Sequence, residues 1–121
     1  MGIRKIEDYE VWNRAMDLTV EVYKLVKLLP AEERFSLCDQ MRRAAVSVPS
    51  NIAEGQGRGS DKEFVKFLNI ARGSEAELRT QLQICVRLGY LQKEEAAPAF
   101  DLCIKVESMI SALIRRIRSD Y

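Results

Sequence analysis

The side chains that most often carry chemistry in proteins are scarce in this sequence. It contains no histidine, which removes the commonest metal ligand and the group best suited to proton transfer near neutral pH. Ser-His-Asp and Cys-His arrangements are therefore excluded. Cys38, Cys85 and Cys103 are odd in number, and none lies in CxxC spacing. We expect buried free thiols, with no metal site, no disulfide framework and no cofactor.

Polar side chains recur along two helical faces. The set consists of Gln40, Arg43, Ser47, Asn51 and Glu54, with Glu75 and Glu77 further along the chain. Such groups are costly to bury unless they are hydrogen-bonded. One interpretation is a buried or interfacial network in which Arg43 pairs with a carboxylate and fixes helix register or subunit pairing. The other is a small-molecule or catalytic pocket containing Arg43, Glu54 and Glu75. Because nothing supplies a nucleophile or metal scaffold, we expect no catalytic residue and no enzyme.

The glycine-rich segment GQGRGS, residues 55–60, resembles a phosphate-cradling loop. A Walker loop needs GxxxxGK[ST] after a strand, and a dinucleotide site needs a strand–turn–helix unit; neither context is present. The segment is therefore predicted to be a flexible loop with Gly55 as a helix C-cap. Because it ends at a helix N-terminus beside Arg58 and Lys62, it is also a place where a phosphate could be held.

Helical periodicity dominates the elements that must position these residues. Apolar residues at i, i+4 and i+7 predict a first helix over residues 9–29. Pro30 ends this helix and can begin a second one, which continues to Glu54. Pro49 lies inside the second helix and predicts a kink or a break near Val48, because proline removes a backbone donor and crowds the preceding turn.

Capping signals delimit the remaining two helices. The sequence SDKE at 60–63 is typical of a capping box, and it opens a third helix that ends near Gly89. A fourth helix is predicted over residues 94–118. Because Pro98 fits only a first helical turn, its start is expected at or after Glu94.

The arrangement of helices and connections predicts an all-α fold. Four helices joined by short connections favour antiparallel neighbours, so we expect an up-down-up-down four-helix bundle in a single domain, residues 1–121. An array of helical hairpins is the alternative. Hydrophobic residues make up 47% of the chain, which can build a core. Neither a membrane-spanning run nor a signal-peptide h-region is found, so we expect a cytoplasmic protein with no membrane partner.

Basic residues gather at one end of the predicted bundle. The N-terminus, the glycine-rich segment, the start of the third helix and the end of the fourth together carry eight positive and six negative charges. The chain as a whole has a net charge of +1. A ring of identical subunits would repeat this weak patch around an axis and strengthen its field. Tyr9, Trp12 and Tyr23 could supply apolar contacts between subunits, or pack within the bundle.

Three stretches of the chain resemble a known family. They are YEVWNRAMDLTVEVY at 9–23, LCDQMRRAAVSVPSNIAEGQGR at 37–58 and EFVKFLNIARGSEAEL at 63–78. Together they resemble the bacterial four-helix-bundle family that includes the 23S rRNA intervening-sequence proteins. The accessory protein of diversity-generating retroelements looks like a relative. The positions that match the family motifs are Arg42, Arg43, Asn51, Glu54, Gly55 and Arg58, then Gly73, Ser74 and Glu77.

The resemblance implies a small helical bundle that assembles into a ring, most often a homopentamer. It also implies a central channel or basic surface that associates with structured RNA or another nucleic acid, sometimes alongside a reverse transcriptase. It supplies no catalytic residue. Retroelement accessory proteins tend to be strongly basic, and the net charge of +1 sets this chain apart from them.

Two functions fit these observations. The first is a non-enzymatic homo-oligomer, expected to be a pentamer, that binds nucleic acid, RNA above all, through a basic surface repeated by symmetry. The second is an oligomeric protein-interaction scaffold with no nucleic-acid role, which the near-zero net charge favours. The residues predicted to bind nucleic acid are Arg58, Lys62, Lys66, Arg115, Arg116 and Arg118.

Overall fold

Four helices make up most of the computed structural model, which describes residues 4–120. They are α1 (Glu10–Val26), α2 (Leu37–Gly57), α3 (Asp61–Arg87) and α4 (Lys93–Ser119). Short 3-10 turns, Ile6–Asp8 and Ala31–Glu33, precede α1 and α2. Each helix packs on the next, and α4 closes against α1. The all-α four-helix architecture is confirmed; of the predicted domain, residues 1–3 and 121 lie outside the described residues.

Contacts between helices show that neighbours run antiparallel. The Thr19 hydroxyl of α1 lies 3.0 Å from the Ala45 carbonyl oxygen of α2. Further along α1, the Val26 carbonyl oxygen lies 3.6 Å from the Cys38 sulfur, nearer the start of α2. Residue numbers thus rise on one helix as they fall on its neighbour. Arg72 of α3 contacts Ser111 of α4, whereas Val86, later on α3, lines a pocket with Ala97, earlier on α4, so this pair is antiparallel too.

The core consists of the apolar faces of the four helices, which the sequence periodicity predicts. Its largest fully buried side chains are apolar apart from Glu75, and the apolar ones include Leu18, Met41, Ile52, Leu68, Leu78, Leu82, Leu91 and Ile110. All three cysteines are free and buried, as expected. Burial raises the pKa of Cys85 to about 11 and that of Cys103 to about 12. Both thiols are therefore protonated at neutral pH and are poor nucleophiles.

The connection between α1 and α2 differs from the prediction. The first helix ends at Val26 rather than at residue 29, and the second begins at Leu37 rather than at Pro30. A residue before proline avoids the helical region, so the chain leaves α1 early. Pro30 itself is extended, with ψ of 150°, and the Ala31–Glu33 turn follows it. The chain thus turns through ten residues that periodicity alone assigned to helices.

Of the two outcomes predicted near Val48, a kink or a break, the structure excludes the break, because α2 continues through Pro49. Proline lacks an N–H group, so the carbonyl of Ala45 loses its usual donor. The Thr19 hydroxyl, 3.0 Å from that carbonyl oxygen and 2.9 Å from the Ala15 carbonyl oxygen, is placed to donate instead. A side chain from α1 therefore compensates for the proline in α2.

Pro98 is tolerated for a different reason. The helix begins at Lys93, one residue from the predicted start at about Glu94, and the later start that Pro98 suggested is wrong, because Pro98 lies beyond the first turn. The backbone N–H of Gln92 donates to the Glu95 carboxylate at 2.7 Å, which fixes the start of the helix. The carbonyl that loses its donor belongs to Glu94, which is exposed, so water can satisfy it.

The first half of the glycine-rich segment, residues 55–57, is helical. The structure extends α2 to Gly57 and leaves only residues 58–60 as a connection, where Gly59 has φ of 78°. Gly55 is not a C-cap; it is buried inside the helix. A Cβ atom at this position would lie 2.7 Å from the Phe67 Cβ and 3.2 Å from the Phe64 carbonyl oxygen. The missing side chain is what lets α2 and α3 approach closely here.

The predicted caps of α3 are largely present. The Ser60 hydroxyl accepts a hydrogen bond from the Glu63 backbone N–H at 3.2 Å. The Glu63 carboxylate instead faces Arg58, 3.7 Å away. At the other end Gly89 has φ of 79°, and the N–H of Tyr90 donates to the Cys85 carbonyl at 2.9 Å. This is a Schellman motif, which requires the left-handed conformation that glycine adopts freely.

Candidate nucleic-acid interface

One end of the bundle carries all six residues that were predicted to bind nucleic acid. We call this surface the basic end, and it consists of Arg58, Lys62, Lys66, Arg115, Arg116 and Arg118. The N-terminal segment lies against it, because the Gln56 side-chain amide donates to the Arg4 carbonyl at 2.9 Å. The Tyr9 ring packs edge-on against Phe64 with centroids 5.7 Å apart. These contacts join the start of α1, the end of α2 and the start of α3.

The end of α4 reaches the same level. Arg72 on α3 donates to the Ser111 hydroxyl on α4 at 3.0 Å. Because these helices are antiparallel and have the same rise per residue, residues after Ser111 on α4 lie beside residues before Arg72 on α3. Arg115 and Arg118 therefore lie level with the first two turns of α3, where Lys62 and Lys66 are found.

The six cations differ in how their charge is used. Arg58 lies 2.8 Å from the Glu54 carboxylate and 3.7 Å from that of Glu63, and its guanidinium lies 5.0 Å from the centroid of the Phe67 ring. Its charge is largely balanced. The other five are exposed, and none forms an ion pair with another residue between positions 4 and 120. Their charges remain available to a polyanion.

The seven residues of the predicted polar network do not form one network. Gln40 and Glu77 are exposed, and the Glu77 carboxylate accepts a hydrogen bond from Gln81 at 3.3 Å. Arg43 is 80% exposed and pairs with Asp39 at 3.0 Å, one turn earlier on the same helix. Glu54 pairs with Arg58 at the basic end. The structure thus keeps Arg43 and Glu54 on the surface, each paired within α2.

Ser47 and Asn51 do form a small cluster at the α2–α3 seam. The hydroxyls of Ser47 and Ser74 lie 2.7 Å apart, so the two helices share a hydrogen bond there. The Asn51 side-chain amide donates to the Ser47 carbonyl at 2.8 Å and to its hydroxyl at 2.9 Å. This cluster connects two helices whose approach is also set by Gly55.

Glu75 is the one fully buried carboxylate among these residues. The Arg79 guanidinium, one turn later on α3, donates to it at 2.9 Å and 3.3 Å. Burial raises the pKa of Glu75 and outweighs the opposite effect of Arg79. The i, i+4 spacing of Glu75 and Arg79 is a sequence signal that could have identified this pair. Arg43 and Glu54 do not reach Glu75, so the structure does not assemble the pocket that was the alternative interpretation.

Two kinds of feature are not found in residues 4–120. No group of three or more histidine, cysteine, aspartate or glutamate side chains in this range could hold a metal ion. None of the helices there is both long and apolar enough to cross a membrane.

Comparison with known proteins identifies the family. Residues 7–112 match the family described as 23S rRNA-intervening sequence protein. The chain belongs to this family. A solved structure of similar fold is a protein of unknown function from the S23 ribosomal protein family of Bacteroides thetaiotaomicron. The two superpose with a TM-score of 0.80 at 24% identity, over 87% of this chain and 95% of that chain. No curated protein matches the chain.

Several motif positions of the 23S rRNA-intervening sequence protein family have structural roles in this chain. Gly55 permits the close approach of α2 and α3. At the same seam, the Ser74 hydroxyl and the Asn51 side-chain amide each form a hydrogen bond with the Ser47 hydroxyl. Gly73 does not contribute in this way, because a Cβ atom there would meet nothing within 4 Å. The motif therefore includes residues that hold two helices together, which agrees with the shared fold.

The aromatic residues of α1 divide between the interior and the surface. Tyr9 packs against Phe64 within the bundle. Trp12 and Met16 line a groove of about 340 Å³ between α1 and α2, opposite Val46 and Pro49. Tyr23, Val46 and Met16 are each at least 40% exposed, although they are large and apolar. Of the three aromatic residues predicted at subunit contacts or within the bundle, Trp12 therefore lines this α1–α2 groove, Tyr23 is exposed, and Tyr9 packs inside.

Proposed function

We propose that this member of the 23S rRNA-intervening sequence protein family is a non-enzymatic, cytoplasmic homo-oligomer that binds structured RNA through the basic end. The observation that carries this proposal is the set of five exposed cations without ion-pair partners in residues 4–120, placed level on α3 and α4. Arginine and lysine in such positions contact backbone phosphates and displace condensed counterions. Contacts of this kind recognise the shape of a helical RNA rather than its sequence.

Oligomerisation is part of the proposal because one protomer has little net charge. Five free cations on a chain of net charge +1 give a weak long-range field, whereas a ring brings several copies of the basic end together. The α1–α2 groove supports a contact between copies, because Trp12, Met16 and Val46 offer apolar surface there. A pentamer is the number that the family resemblance implies. Native mass spectrometry tests this part, and a single-subunit mass at working concentration would contradict it.

The RNA-binding proposal is tested with two double variants that remove equal charge. Arg115→Gln with Arg116→Gln changes the basic end, and Lys93→Gln with Lys105→Gln changes exposed cations elsewhere on α4. In filter-binding titrations with an RNA hairpin, we expect the first pair to bind several-fold more weakly and with a shallower salt dependence. Each lost phosphate contact reduces the slope of log K against log salt by roughly 0.7–0.9. Equal effects of both pairs would contradict a localised basic end.

A protein-interaction scaffold is the second candidate, favoured by the near-neutral charge of the chain. Copurification from source cells separates the two candidates. RNA that is lost on nuclease treatment supports the first, and protein partners that survive nuclease support the scaffold.

A further inference from the structure

A second basic surface lies at the opposite end of the bundle, where the chain passes from α1 to α2. It is a recess of about 350 Å³ whose lining includes Lys27, Arg34 and Arg42 and no acidic residue. The rest of its lining is mostly apolar, from Val26 on α1 to Cys38 in the first turn of α2. A concave site with three cations and an apolar floor suits an anion that is only partly hydrated.

The three cations of the recess have no ion-pair partner within the described chain. Three carboxylates lie nearby in the sequence but outside the lining. Asp39 pairs with Arg43 at 3.0 Å, Glu32 is exposed, and Glu33 accepts hydrogen bonds from the Tyr90 hydroxyl at 2.8 Å and from the Leu37 backbone N–H at 3.4 Å. The positive charge of the recess is therefore not balanced by its own lining.

One contact prepares the recess for an anion. The Arg42 guanidinium donates to the Arg34 carbonyl at 3.2 Å, which holds it in place beside the opening. The start of α2 adds little, because the Leu37 backbone N–H already donates to the Glu33 carboxylate at 3.4 Å and Asp39 lies in the first turn. The positive charge of the recess therefore comes from its three side chains.

An exposed aromatic ring lies next to these cations. Phe35 is 85% exposed, the highest exposure of any large apolar residue described, and the Arg34 guanidinium lies 5.9 Å from the centroid of its ring. Burying this ring within the protomer would be favourable, yet the fold leaves it in solvent. Cations that contact phosphate beside an aromatic face that stacks on a base are the two elements of single-strand recognition.

We propose that this recess binds single-stranded RNA, with a backbone phosphate among Lys27, Arg34 and Arg42 and a neighbouring base stacked on Phe35. The inference extends the proposed RNA-binding function to a second kind of RNA segment, but it does not require the basic end. The recess is a concave site for one nucleotide unit, whereas the cations of the basic end are spread along α3 and α4.

The test is fluorescence anisotropy with a short labelled oligouridylate and, separately, the RNA hairpin. We expect Phe35→Ala to weaken oligouridylate binding about 5-fold or more, because one base–aromatic stack is lost. Phe35→Trp keeps the ring and should bind at least as well as the native chain. Arg34→Gln with Arg42→Gln should weaken binding further and reduce its salt dependence. The Lys93→Gln, Lys105→Gln pair serves as the charge-matched control.

Several results would overturn the inference. The first is oligouridylate binding that is unchanged in the Phe35→Ala variant. The second is a change in the native mass of that variant, because this would place Phe35 at a contact between protein copies. Displacement of the oligonucleotide by low-millimolar inorganic phosphate, with no effect of Phe35→Ala, would indicate a simple anion site. A failure of the proposed function would give a different result. In that case the protein would not bind the RNA hairpin at the basic end, but it would still bind the short oligouridylate.

Discussion

The two ends of the bundle both present free cations, five at the basic end and three in the recess. At the basic end, the cations lie along α3 and α4, and Arg58 is balanced by Glu54 and Glu63. In the recess, Lys27 and Arg42 line a hollow without acidic residues, beside an exposed ring. Charge alone separates the two surfaces only by the number of cations. The hollow and the ring are the features for which we assign a single nucleotide to the recess and a helical backbone to the basic end.

The largest effect on stability is expected from a substitution at Gly55, which lies near the basic end and not near the recess. Gly55→Ala places a Cβ atom 2.7 Å from the Phe67 Cβ, so α2 and α3 must separate locally. We expect a loss of about 1–3 kcal/mol in the free energy of unfolding, as for other overpacked sites. Hairpin binding should weaken, and oligouridylate binding at the recess should not change. Urea denaturation and the two anisotropy assays measure these outcomes.

Gly57→Ala is the matched control, because Gly57 is also in α2 but a Cβ atom there meets nothing within 4 Å. This variant should be more stable than the native chain by about 0.5–1 kcal/mol, since alanine is the better helix former. Equal destabilisation by the two variants would show that the contact with Phe67 does not account for the cost at Gly55, because Gly57 has no such contact.

The features that the sequence predicted correctly at the two ends are local ones. Apolar periodicity gives the four helices, and Ser60 and Gly89 delimit α3 because caps depend on residues a few positions apart. The basic end follows from placing antiparallel helices side by side. The position of these residues at one end of the bundle could therefore be predicted without knowledge of their contacts.

The features that the sequence did not predict depend on distant residues or on an irregular turn. The continuity of α2 at Pro49 depends on Thr19, which comes from another helix. The recess depends on the path of residues 27–36, and no periodic pattern specifies that path. Arg42 and Arg43 are neighbours in sequence, yet one lines the recess and the other pairs with Asp39 on the surface.

An intermediate effect is expected at Thr19, which lies between the two ends. Thr19→Val keeps the shape of the side chain but removes the donor to the Ala45 carbonyl, which Pro49 cannot replace. We expect a loss of about 1–2 kcal/mol, the cost of leaving a buried carbonyl unsatisfied. Neither RNA affinity should change in the folded variant. A change at one end alone would show that the α1–α2 contact transmits to it.

A double-mutant cycle with Pro49→Ala isolates this hydrogen bond. Alanine at position 49 restores an N–H donor to the Ala45 carbonyl, so the effect of Thr19→Val should be smaller in that background. Equal effects in both backgrounds would show that the hydroxyl acts through Ala15 or through packing instead.

The smallest effect on stability, and the most direct test of charge balance, is expected at Glu54. Glu54→Gln removes the carboxylate 2.8 Å from Arg58, an exposed pair, so the free energy of unfolding should change by less than about 0.5 kcal/mol. Arg58 would then keep only its longer contact with Glu63, at 3.7 Å, and hairpin affinity should rise a few-fold with a steeper salt dependence. Asp39→Asn is the counterpart beside the recess, where it frees Arg43. If Glu54→Gln strengthens only hairpin binding and Asp39→Asn strengthens only oligouridylate binding, the two surfaces act separately. If Glu54→Gln strengthens the binding of both RNAs equally, net charge alone governs binding, and the distinction between the two ends is wrong.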